Sequence, residues 1–99
     1  MENTIEETEP QGAEELAAER LEAKVNALRQ EVVKLSMRCR KESRKVEAVI
    51  DKVAREYGPD RNRIDEAASR QRRIALDVCN EAESKQVELQ KLEAELANN

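Results

Sequence analysis

Between residues 13 and 99 the chain contains only two helix breakers, and they are adjacent: Gly58 and Pro59. A helix cannot run through Pro59 without losing a backbone hydrogen bond and meeting a steric clash, a cost on the order of 3 kcal/mol. Glycine just past a helix end and proline at the first position of the next helix are the favoured places for these residues. Asp60 would then put a negative charge in the first turn of the following helix, where it suits the positive end of the helix dipole. The stretch E-Y-G-P-D, Glu56–Asp60, thus predicts the corner of a helical hairpin, with a kink in one continuous rod as the alternative.

The runs on either side carry helical periodicity. In the first, one heptad position reads Ala18, Val25, Val32, Cys39, Val46, Val53 and the other reads Leu21, Leu28, Leu35, Glu42, Val49, Glu56. β-Branched residues at one seam position and leucine at the other pack well as knobs into holes, which predicts a helix over about residues 13–57. In the second, the seam reads Ile64, Ala68, Gln71, Ala75, Val78, Ala82, Lys85, Leu89, Leu92 and Leu96, predicting a helix over about residues 61–97. Ala68, Ala75 and Ala82 fall seven apart and let a neighbouring helix come close, so tight packing is expected near the corner and a looser open end beyond residue 88. The expected fold is all-α: a long antiparallel helical hairpin, coiled-coil-like, completed as a bundle by dimerisation or by a partner helix. Val33, Ile50, Leu76 and Val87 fall beside the seams and are the residues such pairing would cover.

Composition agrees with narrow seams rather than a thick core, since 40% of the 99 residues are charged and Tyr57 is the one aromatic. Residues 1–12 read as a disordered acidic leader, with Pro10 and Gly12 breaking helix and Ile5 the one large apolar side chain after Met1. That segment lacks the basic-then-apolar order of a signal peptide, and no apolar run approaches membrane-spanning length, so a cytoplasmic location is expected, with the nucleus as the other choice. Cys39 and Cys79 lie twenty residues to either side of Pro59, so a hairpin sets them at one level. In a reducing compartment they pack as thiols; in an oxidant they pair.

Charge is segregated along the chain. Residues 1–23 hold eight acids and one base, residues 24–45 two acids and eight bases, residues 61–73 two acids and five bases, and residues 74–99 six acids and two bases. Folding at Gly58 is expected to bring the first basic run toward the second and form a positive band. Its candidate partner-binding residues are Arg38, Lys41, Arg44, Arg70, Arg72 and Arg73. Such a band attracts an acidic protein surface, mainly through the association rate. The alternative is a solvated face whose heads pair with Glu31, Glu42 and Glu47. Nucleic acid is not expected from a net charge of −4 with no groove-reading motif, nor a membrane surface from helices without bulky aromatics opposite the basic run. The chain has no histidine, no glycine-rich phosphate loop and no metal-ligand spacing, so neither enzyme activity, cofactor nor metal is expected.

Four stretches carry a family resemblance: V-N-A-L-R-Q-E-V-V at 25–33, K-V-E at 45–47, Y-G-P-D at 57–60, and the apolar positions Ala67, Ala68, Ile74, Ala75, Val78, Leu89 and Leu92. Over roughly residues 21–95 the chain resembles the tubulin-binding cofactor A chaperones, small cytosolic helical bundles. It departs from them in having R-N-R-I-D where that family has a lysine- and glutamine-rich run, and in leaving no room for a third helix. The resemblance implies a non-enzymatic chaperone that captures β-tubulin without nucleotide or metal. The other reading is a dimerising coiled-coil structural subunit of a cytoskeletal, kinetochore or vesicle-tethering complex.

Overall fold

Two helices account for the architecture: α1, Glu2–Tyr57, and α2, Arg61–Ala97. The structure, a computed structural model, describes residues 2–98, with side chains from residue 12 onward. The helices fold back on each other as an antiparallel hairpin with a cross-section of 17 × 14 Å, two helices wide and one deep. α1 begins ahead of the expected start near residue 13. The expected acidic leader over residues 1–12 falls outside the residues whose side chains are described, Gly12 excepted.

The chain reverses in three residues. Gly58 takes φ +73°, the left-handed conformation that ends a helix at low cost only for glycine. The Asp60 backbone N–H then donates to the Gly58 carbonyl at 2.8 Å, closing a three-residue turn around Pro59. Asp60 caps α2: its carboxylate accepts from the Arg63 backbone N–H at 3.3 Å, and its carbonyl accepts from the Ile64 N–H at 3.0 Å. This corrects the expected order, because Pro59 precedes the cap and Asp60 lies at the cap instead of inside the first turn. The reason is chemical: a helix start has unsatisfied N–H donors, and a carboxylate can accept from one, contributing about 1 kcal/mol. Arg63 stacks on Tyr57 with its guanidinium carbon 4.2 Å from the ring centroid and reaches back to the Asp60 carboxylate at 3.5 Å, tying the end of one helix to the start of the other.

Along the seam, Val25, Leu28, Val32 and Leu35 of α1 are buried against Ala68, Ala75, Val78, Ala82 and Leu89 of α2. The largest apolar cluster lies at the open end, where Val25, Leu28, Val32 and Leu89 pack with Leu92 and Leu96. The expected looser open end is therefore corrected. The alanines near the corner do let the helices approach, but they bring little apolar surface, and Val46, Val49 and Val53 opposite them stay half-buried. The leucines beyond residue 88 bring larger side chains to the seam, each fully buried one contributing about 1.5–3 kcal/mol.

Cys39 and Cys79 meet at one level, as the hairpin requires, with Cα atoms 4.8 Å apart. They form a disulfide where two reduced thiols were expected. The buried alanines Ala75 and Ala82, on either side of Cys79, keep the seam narrow enough for that approach.

Two outcomes follow from the corner and the clamp. A Cβ on Gly58 would meet no atom within 4 Å, so Gly58→Ala should cost only the left-handed backbone, about 1–2 kcal/mol, and Gly58→Asn less; urea denaturation measures both. Reducing the disulfide, which joins residues 40 apart, should lower the unfolding free energy by about 4 kcal/mol through the freed chain entropy of the unfolded state. Denaturation with and without reductant checks it, and equal midpoints would overturn it.

Candidate interaction surface

The heptad that puts Val25, Leu28, Val32 and Leu35 into the seam also fixes what faces away from it. On the back of α1 stand Leu16, Val33, Met37, Arg40, Lys41 and Arg44, all exposed, with Val33, Arg40, Lys41 and Arg44 three, four or seven residues from Met37. Val33 is 58% exposed and Met37 63%, the highest value among the exposed large hydrophobics. Around Met37 the side chains of Arg38, Arg40, Lys41 and Arg44 frame an open depression of about 360 Å³. It is formed on one helix, so it is a contoured surface and not a cavity for a small molecule. Among the described residues, none of these four basic heads lies within ion-pairing distance of a carboxylate.

The structure gathers three of the six expected partner-binding residues, Arg38, Lys41 and Arg44, into this depression. Arg72 lies elsewhere: its guanidinium pairs with Asp65 at 2.9 Å, and its side chain borders a groove beside the disulfide with Ser43, Val46, Glu47, Ala75, Leu76 and Cys79. Arg70 and Arg73 are exposed on α2 and line neither feature. The expected single band is therefore corrected to a basic patch on α1 and separate arginines on α2. Level along the hairpin is legible in the sequence, whereas facing depends on the rotation of each helix about its axis. Arg70 and Arg73 occupy the outward positions of α2, and outward positions on two antiparallel helices point in opposite directions.

Met37 carries a signal in the sequence that lies outside the seams. It follows Val33 by four residues, off the seam, which is the spacing of a second apolar stripe on the same helix. The Leu89, Leu92 and Leu96 stripe at the open end is not free for a partner: Leu89 is buried in the open-end cluster, and Leu92 and Leu96 pack against it.

Between the basic patch and α2, the seam carries a polar layer. Glu42 of α1 occupies a seam position and is only 14% exposed; it accepts from Lys45 Nζ at 3.0 Å and from Gln71 Nε2 across the seam. Gln71 Nε2 also donates to the Glu42 carbonyl at 3.4 Å. A polar pair at a seam position fixes register, because sliding either helix would leave both groups without partners. Ion pairs from Arg29 to Glu93 at 2.9 Å and from Lys85 to Glu31 at 3.7 Å lie along the rims of the same seam. Among the described residues, no group of three or more His, Cys, Asp or Glu side chains is placed to hold a metal, and no helix is long and apolar enough to cross a membrane.

The hydrogen bonds from Lys45 and then Gln71 hold the Glu42 carboxyl below its ordinary range, because both favour the charged form. A carboxyl whose pKa is depressed by folding contributes stability above its unfolded value and loses it as the pH falls through the folded one. Glu42→Gln should therefore flatten the acid limb of stability as the pH falls below the ordinary glutamate pKa of about 4.3, and leave stability near neutral pH independent of pH. Urea titrations of both proteins across that range check it; parallel acid limbs would overturn it.

Set against known protein families, characterised proteins and solved structures, the chain matches none.

Proposed function

We propose that the chain is a non-enzymatic helical interaction module that docks a protein partner on the back of α1. The observation that carries this reading is the depression around Met37, where an exposed apolar side chain is ringed by four basic ones. Exposed methionine adapts its shape to a partner, and the basic ring selects an acidic one. A solvated face would need its basic heads but not the apolar stripe between them.

The resemblance to the tubulin-binding cofactor A family names β-tubulin, a strongly acidic protein, as the first partner to test and chaperoning as the role. A cytoplasmic location goes with that role. It sits against the disulfide, since reducing compartments open such bonds. Thiol trapping in intact cells decides the state of Cys39 and Cys79, and a fully disulfide-bonded pool would count against the cytoplasm. The other role, a structural subunit of a larger helical complex, draws on Leu76 and Val87, which are exposed on α2.

Pull-down with purified tubulin tests the partner, and charge reversal tests the face. Wild type should capture tubulin. Lys41→Glu with Arg44→Glu should weaken capture about tenfold at low salt and reduce its salt dependence. Arg70→Glu with Arg73→Glu, on the opposite back of the hairpin, should change it little. No capture by wild type removes tubulin as the partner. Equal loss from both pairs removes the α1 face as the contact surface.

A further inference from the structure

We infer that the back of α1 pairs with the same face of a second copy, antiparallel and centred near Gln30. The inference rests on reading that face as the contact surface and names a second copy as its occupant in the free protein, which an acidic partner would have to displace.

The argument begins with charge. Residues 13–23 hold Glu14, Glu15, Glu19 and Glu22 against one base, Arg20, while residues 37–47 hold Arg38, Arg40, Lys41, Arg44 and Lys45 against Glu42 and Glu47. Both segments are on one straight helix, so within one molecule they cannot meet. Turning a second copy end for end about Gln30 lays each acidic segment along the other's basic one, with Glu19 in the row beside the outward one and Glu14, Glu15 and Glu22 toward the seam side, where they act at longer range; the two-fold makes every contact twice.

Size and position agree with charge. On the outward row Leu16, Ala23, Gln30, Met37 and Arg44, seven residues apart and all exposed, the two-fold sets Met37 against the second copy's Ala23. A long flexible side chain thus meets a small one, as close helix packing requires. Gln30 faces its own counterpart on the axis, where an amide can both donate and accept. Leu16 lies at the level of the Arg44 stem, and in the adjoining row Glu19 lies one residue, about 1.5 Å, from the level of Arg40. The contact from Leu16 to Arg44 runs about 42 Å at about 1.5 Å per residue. It covers Leu16, Val33 and Met37, three of the seven exposed large hydrophobics among the described residues.

The back of α2 is the weaker candidate. Its apolar residues Leu76 and Val87 are separated by Asn80, Glu83 and Ser84, which make the surface there polar.

Sedimentation equilibrium across the micromolar range tests the pairing. Wild type should reach twice the 11.3 kDa chain mass. Glu19→Arg or Arg40→Glu alone should weaken the dimer about tenfold, while both together should restore it, because each copy then presents the swapped charges to the other. Circular dichroism should show unchanged helicity in all three variants, since these side chains are exposed and off the seam. Gln30→Cys in the otherwise native chain should give a covalent dimer on oxidation, with residue 30 joined to residue 30. A mass of 11.3 kDa throughout overturns the pairing, as does a dimer that neither single reversal weakens. A monomer in which Lys41→Glu with Arg44→Glu still weakens tubulin capture would remove the second copy while leaving the α1 face as the contact surface.

Discussion

Two helices can cover only one side of each other, and most other features of this chain follow from that limit. With a cross-section of 17 × 14 Å there is no third layer, so everything beyond one seam per helix faces outward. The apolar seam is thin, nine buried hydrophobic residues with no buried polar side chain among those described, and most of the volume it encloses comes from Val and Leu of α1. A hairpin of this kind has little hydrophobic surplus, because small cores barely offset the entropy of ordering the chain.

That scarcity explains why register is held by other means. The corner reverses the chain with one left-handed glycine, one cap and one arginine stacked on the single aromatic. Midway along, the disulfide joins Cys39 to Cys79, and close by Glu42 and Gln71 pair inside the seam. Each device costs apolar seam surface that leucine could have supplied. What each contributes is specificity: a polar pair and a covalent clamp both forbid the sliding that a plain apolar seam tolerates. The open end carries neither device, and there the largest apolar cluster does the work through bulk.

The hairpin was legible in the sequence because its two strongest signals are local. Gly58 and Pro59 mark the corner, and the heptads mark the helices on either side. What the sequence left open depended on relations across the seam. The pairing of Glu42 with Gln71 needs the inter-helix register, which neither helix states alone, although both residues break their own apolar pattern. The oxidation state of Cys39 and Cys79 turned on a compartment argument, whereas their separation depends on the alanines opposite. The basic band was read from level along the hairpin without facing, so Arg70 and Arg73 were grouped with Arg38, Lys41 and Arg44 although they point the other way. Met37 lies off both seams, so the heptads that mark the helices do not single it out.

Fixing the register also fixes the rotation of α1, and with it which side chains form the outward face. The same phase that buries Val32 and Leu35 turns Val33 and Met37 outward, one residue and two residues further along the chain. The basic heads around Met37 are exposed and screened by salt, so they strain the isolated chain little. For the same reason they add little affinity by themselves; their effect is on the rate and choice of encounter. Affinity at this face has to come from burying the apolar row, where about 25 cal/mol per Å² of apolar surface is gained. The division of labour is therefore built into the helix: Leu16, Val33 and Met37 hold a partner, and the arginines and lysines around them decide which partner arrives.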